Sequence, residues 1–407
     1  MSMDKKLILV SGATGYIASR LIPRLLDSGY RVRALARNPL RLRGRTWFNK
    51  IDIIQADVSS SSSLAHAFDG VHTSYYLIHN MSQGQGYTST ELNAARNFAS
   101  AAEKAGVEHI IYLGGLADPE QHIAPHMRSR IETGKVLREG RVPVTEFRTG
   151  VIAGSGSISF EMIRFMTELC PIVPGPAWMR NKSQPISIQN VIDYLFAALE
   201  NKNGQNGIFE IGGRETYTYK ELMLGYAHIR GLKRSLFLIP GIPVWFMAFG
   251  VGLVTPVPYP IARALIEGLS SDSIVKHSEA LQIFPEVKLI NFDIAIKDAL
   301  EKTHPDDIER IWEYGKSKTK FIKHEGCFIL HKDSHPYEGQ ISKRVEGLKV
   351  RDEYRTPFGK LWIERDLTSQ TLFFSPLGLP GFLYWYFLYP FHWLRFHGFF
   401  SKITRRP

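Results

Sequence analysis

The sequence predicts an α/β protein: a doubly wound parallel sheet with a small substrate lobe, followed by a small α+β C-terminal domain. Three observations carry this expectation. Short apolar runs alternate with amphipathic helical stretches over the first 120 residues or so. A glycine-rich turn joins the first run to the first helix. Beyond residue 318 the pattern changes to closely spaced strand-like runs separated by turn residues.

The first run, KLILV (6–10), reads as a buried parallel strand. SGATGYIASRLIPRLLDSGY follows, in which Gly12, Gly15 and Ala18 form G-x-x-G-x-x-A. Leu21, Ile22, Leu25 and Leu26 carry the apolar face of a helix that Gly29 ends. A helix that opens on such a turn offers unpaired N–H groups and a positive dipole end to a pyrophosphate. Gly12, Ala13, Thr14, Gly15, Tyr16 and Ile17 are therefore the first candidate cofactor-binding residues, and the strand and helix on either side raise the motif above a bare glycine pattern.

RVRALAR (31–37) reads as the second strand. Dinucleotide sites that take NAD often place an acid at its end, for the ribose hydroxyls. Here the chain reads Ala36-Arg37-Asn38, with Arg33 further back and no acid. A 2′-phosphate would pair with Arg37, so the expected cofactor is NADP(H) rather than NAD(H). IDIIQADV (51–58) is a third strand, with Asp57 placed for the adenine edge and Val58 packing beside it. VHTSYYLIH (71–79) and HIIYLGGL (109–116) are the fourth and fifth, separated by a loop, NMSQGQGYTSTE, and a helix over 93–107. Ligands in such sheets sit at the strand C-termini, which would put Tyr76, His79, Tyr112, Gly114 and Gly115 beside the nicotinamide.

At 407 residues the chain exceeds a usual single core, so more than one domain is expected: 1–270, a helical linker 271–317, and 318–407. Composition is globular, with 44% hydrophobic and 22% charged residues. The net charge of +11 raises nucleic acid or an anionic membrane as partners. No basic stripe interleaved with aromatics supports nucleic acid, and scattered surface cations plus a phosphate-bearing ligand account for the charge. Cys170 and Cys327 form no metal-ligand spacing and no disulfide framework, as expected of a reducing compartment. The opening MSMDKKLILVSG does not read as a signal peptide, so a cytoplasmic location is expected.

Taken together, VSGATGYIA, EFRTGVIAGSGS (146–157), QPISIQNVIDYLFAAL (184–199) and GIFEIGGRETYTYKEL (207–222) resemble the atypical, extended-type short-chain dehydrogenase/reductases with an NmrA-like NAD(P)-binding Rossmann module. YYLIHNM, YLGGL and HMRSR are similar to a bacterial subgroup that carries a fused C-terminal domain of unknown function, ending in a motif like SPLGLPGFLYWYFLYPFHW. That resemblance implies a catalytic serine near the end of the fifth strand and a Tyr-x-x-x-Lys pair on the next helix. At the matching positions this chain has Gly114 or Gly115, His126 and Arg130. Arg130 keeps a cation for the nicotinamide ribose, and its charge would depress the basicity of His126. Tyr112, with His126 and Arg130, is the candidate catalytic set; Tyr76 and His79 stand near it as further candidates.

Residues 157–186 are expected to form a lobe over the substrate crevice, apolar through Phe160, Met162, Phe165, Met166 and Trp178. Two charge-free stretches, 235–262 and 367–394, are long enough to span a bilayer but are broken by prolines. A terminal helix covering an apolar ligand cavity in the C-terminal domain is the expected arrangement, with peripheral membrane contact through the aromatic tail as the alternative. The functional expectation is an NADP(H)-binding reductase-like protein acting on an apolar carbonyl substrate, a small molecule that can be bulky. A non-catalytic NADP(H) or redox sensor of NmrA type is the second reading.

Overall fold

The computed structural model describes residues 6–79, 87–118, 120–121, 123–254, 257, 259–308, 319–324, 326–333, 350–365 and 369–394. The chain begins with β1 (Leu7–Ser11), α1 (Tyr16–Asp27), β2 (Arg31–Ala36), β3 (Asp52–Gln55), β4 (Val71–Tyr76), α2 (Tyr87–Lys104), β5 (His109–Gly115), α3 (Pro125–Arg138) and β6 (Val144–Thr149). β7 (Ile152–Ala153), α4 (Ile158–Leu169), β8 (Ile172–Pro176), β9 (Lys182–Ser183), β10 (Ile186–Ser187), α5 (Ile188–Ala197) and β11 (Ile208–Ile211) follow. Then come β12 (Tyr217–Thr218), α6 (Tyr219–Ile229), β13 (Ser235–Ile239), α7 (Val244–Val254), α8 (Tyr259–Gly268), α9 (Glu279–Ile283) and α10 (Phe292–Glu301).

Seven parallel strands form one sheet in the order β11-β6-β5-β4-β1-β2-β3. Strand order reverses between β1 and β4, which places a crevice at their C-terminal ends. Alternation along each strand divides two cores. Ile8 and Val10 pack with Leu21, Ile22 and Leu25 of α1 and with Phe147 and Tyr194. Leu7 and Leu9 pack on the other side with Phe98 of α2 and Val136 and Leu137 of α3. The expected loop at 80–91 is shorter than the sequence suggests: α2 already begins at Tyr87, and the remainder of that call lies outside the described residues.

The described part of the segment expected as a helical linker, residues 271–308, contributes side chains to the sheet and lobe cores. Phe284, next to α9, sits among Phe147, Tyr194 and Phe209, and Phe292 and Ile296 of α10 pack with Phe160, Leu222 and Tyr226. Apolar residues at helical spacing drive these short helices onto the sheet and lobe rather than into a free connection.

The C-terminal sheet is antiparallel, in the order β14 (Thr319–His324), β15 (Cys327–Asp333), β18 (Ser369–Pro376), β17 (Gly359–Arg365), β16 (Val350–Thr356). The helix α11 (Gly378–Leu394) lies on it. The ligand cavity expected between sheet and helix is absent among the described residues. Trp385 stacks on Phe328 and Phe374, with ring centroids 5.2 and 5.4 Å apart, and Phe165 of α4 inserts against Phe382. Large flat rings fill the space that a ligand would need.

A buried polar network fastens this sheet to the substrate lobe. Tyr226 Oη and Arg230 Nε donate to Glu168 Oε1 at 2.8 and 2.7 Å, and the backbone N–H of Gly378 donates to Glu168 Oε2 at 2.6 Å. A carboxylate from α4 thus caps the N-terminus of α11, where the helix dipole favours negative charge. Arg164, buried and paired with Glu161, packs its guanidinium against Gly326, where it fills the space of a side chain and φ is +80°. No described helix is long and apolar enough to cross a membrane.

Candidate functional site

The glycine turn is built from the end of β1. Ser11 Oγ donates to the Tyr75 carbonyl at 2.8 Å and accepts from Leu77 N–H at 3.3 Å, holding β1 and β4 together at their ends. Gly12 has φ +68°, and a Cβ there would lie 2.5 Å from the Leu77 carbonyl oxygen. Only glycine fits this position. Gly15 N–H closes the turn on the Gly12 carbonyl at 2.8 Å and serves as N-cap of α1, with no side chain capping the helix. The first-turn N–H groups therefore face the crevice with the positive end of the dipole behind them.

Around this turn lie Arg37, exposed beyond β2, and Asp57, beyond β3. Asp57 accepts from Ser59 N–H and Oγ at 2.9 and 2.6 Å; that hydrogen bonding, aided by Arg37, holds its carboxyl below the usual range. Val58 is buried, and its carbonyl accepts from Asn97. Arg33 is committed elsewhere, to Asp52 at 2.6 Å and to the carbonyls of Ala67 and Asp69. A cation that sequence reasoning missed is Arg45, which is buried and donates to the Thr14 carbonyl inside the turn. The basic run RLRGR (41–45) was the available signal, but its distance from the turn is set by folding alone.

Next to the turn opens a cavity of about 220 Å³, bounded by the ends of β4, β5 and β6, by α3 and by α8. Tyr16 and Ile17 form its cofactor-side wall, and Leu265 and Leu269 its outer wall. Arg20 stacks 4.0 Å over the Tyr16 ring and bonds the Ser155 carbonyl at 2.8 Å, which braces this wall against the segment following β7.

His126 and Arg130, one turn apart on α3, both line the cavity, as does His79. Burial, reinforced by the Arg130 charge, pushes the His126 imidazole down to about 4, so it is neutral at pH 7. Its Nδ1 has no hydrogen-bond partner among the described residues. His79 lies well below the usual imidazole range for the same two reasons, and one ring nitrogen sits 3.0 Å from the Leu113 carbonyl. α8 approaches closely at Gly268, where a Cβ would come within 2.7 Å of His126 Cε1.

Gly114 also lines the cavity, while Gly115 is covered. A Cβ at Gly115 would come within 2.6 Å of Met127 Cε and 3.0 Å of Arg130 Cδ. The hydroxyl that the resemblance calls for thus has no space at Gly115 unless Met127 and Arg130 move.

Tyr112 and Tyr76, expected beside the nicotinamide, are not cavity residues. Tyr76 and Tyr112 are fully buried in the core between the sheet and α2/α3, against Phe98. Tyr112 Oη donates to the Arg130 backbone carbonyl at 2.9 Å, and burial raises its phenol far above the ordinary range. Strand alternation is the reason: the Tyr112 side chain stands on the α2/α3 face and Leu113 on the opposite one, while Gly114 borders the cavity only as bare backbone at the strand end. Sequence reasoning missed Thr149, at the end of β6. Thr149 is buried, lines the cavity, and its Oγ1 has no partner among the described residues. It lies within the quoted EFRTGVIAGSGS segment, but nothing local distinguishes its hydroxyl from a structural one.

A parallel sheet with this strand order, a glycine turn under an uncapped helix and a cavity at the strand ends define a Rossmann-type fold of the short-chain dehydrogenase/reductase kind. The chain belongs to the NmrA-like family, whose profile matches residues 4–245. It is 31% identical over 144 residues to cinnamoyl-CoA reductase 1 of Oryza sativa, a match covering 33% of this chain and 40% of that one. It is 22% identical over 246 residues to the ceramide reductase of Caulobacter vibrioides, covering 59% and 76%. An NADPH-dependent quinone oxidoreductase of Escherichia coli, solved with NADPH, superposes with a TM-score of 0.58 at 19% identity, covering 72% of this chain and 99% of that one.

Proposed function

We propose that this protein is an NADP(H)-dependent reductase of a small, apolar carbonyl compound, working without the family's usual serine, tyrosine and lysine. The carrying observation is the cavity beside the glycine turn, with two buried polar atoms, His126 Nδ1 and Thr149 Oγ1, that no described residue satisfies. Buried polar atoms left without partners cost about 1–3 kcal/mol each, and a ligand oxygen in this cavity can satisfy both.

The residues fit the cofactor. Gly12–Ile17 would cradle the pyrophosphate, Arg37 with Arg45 nearby would meet the 2′-phosphate, Asp57 and Val58 the adenine side, and Arg130 the nicotinamide ribose. NADP(H), when bound, supplies the hydride. His126 is neutral, and a neutral imidazole still donates one N–H to a substrate oxygen, stabilising the charge that gathers there. Thr149 Oγ1 offers a second donor. A neutral imidazole gives up its own proton at high cost, so the proton that completes an alcohol comes from water. Leu77, Leu113, Ile152 and Leu265 give the cavity its apolar character. The reductases and the quinone oxidoreductase among the similar proteins support this class of reaction.

The experiment is NADPH consumption measured against a panel of apolar aldehydes, enones and quinones, with His126→Ala and Thr149→Val beside the wild type. Turnover that falls in both variants supports the assignment. Tight NADPH binding with no turnover on any substrate favours the second reading, a non-catalytic NADP(H) sensor, which the Met127 and Arg130 side chains over Gly115 already favour.

A further inference from the structure

α7 runs VWFMAFGVGLV, with no charged residue, yet it does not lie inside the molecule. Met162 of α4, Ala248 and Val251 of α7 and Ala262 and Ile266 of α8 form one small core. The other side of α7 shows Trp245, Phe246 and Phe249 at 57%, 54% and 59% exposure. β13, which leads into α7, adds Phe237 and Ile239, and its partner strand adds Ile172. α11 has the same two-sided build. Phe382 and Trp385 face the sheet, while Leu383, Phe387 and Phe391, spaced four apart on one stripe, are outward, Phe387 at 76% exposure. The start of α11 meets the turn before β13: Gly378 lies against Leu232 and Arg234. Isolated exposed apolar residues need no explanation, but two apolar helices exposing rows of aromatic side chains do.

The charges around these elements identify what covers them. The turn before β13 carries Lys233 and Arg234, whereas Arg230 is paired with Glu168 and Arg263 with Glu267. In sequence, residues 367–407 contain no acid and hold Arg395, Lys402, Arg405 and Arg406. Protein interfaces rim an apolar centre with residues of both signs, whereas an excess of cations beside Trp and Phe matches anionic headgroups over an acyl boundary. An 11-residue helix reaches about 16 Å, half of the ~30 Å hydrocarbon core, so contact is along the surface and not through it. We propose that this chain docks on the surface of an anionic lipid bilayer through the outer face of β13 and α7 and the outer stripe of α11. α7 packs on α8, and α8 supplies Leu265 to the cavity wall, so docking leaves the cavity one helix away from lipid.

The test is flotation of the full chain with vesicles of phosphatidylglycerol and phosphatidylcholine, against vesicles of phosphatidylcholine alone. The protein is expected to float with the anionic vesicles and to be released by high salt. Trp245→Ser/Phe246→Ser/Phe249→Ser is expected to weaken flotation about tenfold or more with the unfolding temperature unchanged. Phe387→Ser alone should weaken it less. Should the triple variant unfold, Phe249→Ser and the salt series on the wild type decide. No flotation of the wild type, or equal flotation of wild type and variants, overturns the proposal. So does a lipid-free dimer that the substitutions convert to monomer while vesicle binding is absent, since the face would then be a contact between two copies.

Discussion

Two charged and aromatic regions of this molecule are built from similar residues to opposite ends. At the junction of α4 with the C-terminal sheet, Glu168 accepts from Tyr226, Arg230 and the Gly378 N–H, and Phe165, Phe328, Phe374 and Trp385 fill the space alongside. At the C-terminal ends of β4–β6, His126, Thr149 and Arg130 stand around a cavity of about 220 Å³, with Gly114 keeping its backbone bare. In the first region three donors satisfy the Glu168 carboxylate and aromatic rings fill the space. In the second, His126 Nδ1 and Thr149 Oγ1 have no hydrogen-bond partner among the described residues and border open volume. The difference teaches that the residue types alone do not mark a site; partners and vacant volume do.

The comparison is broken most severely by removing Glu168. Glu168→Ala should cost about 3–5 kcal/mol in denaturant unfolding, because Arg230 is left beside an empty acceptor and α11 loses its cap. A loss below about 1 kcal/mol would show that the junction is not held this way.

Acid is the next lever. His126 and His109 are both held neutral by burial, each lowered to about 4. The unfolded chain binds their protons from about pH 6.5, and the folded chain only near pH 4. Stability is therefore full above pH 6.5 and falls as pH drops towards 4, by about 2–3 kcal/mol per histidine. His126→Gln should flatten this slope in thermal unfolding measured from pH 7 to 4; an unchanged slope excludes His126 as a source.

Gly12→Ala places a Cβ on the Leu77 carbonyl at a left-handed φ. The expected loss is about 2 kcal/mol in stability, with NADPH binding reduced further than stability alone explains. Calorimetric titration checks it, and wild-type affinity in the variant would remove the turn from the cofactor site.

The smallest effect sharpens the cofactor side. Arg37→Ala should weaken NADPH binding about tenfold, near 1.4 kcal/mol, and leave NADH binding unchanged. Equal losses for both cofactors would assign Arg37 to general attraction and leave Arg45 to read the 2′-phosphate.

Much of the fold was legible because it is written locally. KLILV, the glycine turn and the leucines at 21, 22, 25 and 26 specify a strand, a tight turn and an amphipathic helix within twenty-five residues. The C-terminal strands were legible from their spacing, though the call over 334–349 lies outside the described residues. The site was legible only in part. His126 and Arg130 are four apart on a helix, so their common face follows from helix geometry. Tyr76 and Tyr112 were misplaced because the face a strand residue takes depends on which side the neighbouring helices cover. Arg45 and Thr149 were missed because the contacts that define them join residues tens of positions apart.

The sequence by itself determined the periodicities, the turn chemistry, the absence of an acid beyond β2 and the charge-free apolar segments. These are properties of neighbouring residues, and neighbours are fixed by the chain. Tertiary structure alone decided that α11 packs without a cavity, that Glu168 caps a helix 210 positions away, and that His126 stays neutral. Each of these depends on what is excluded from a volume, water above all, and burial is settled only when distant segments close on one another.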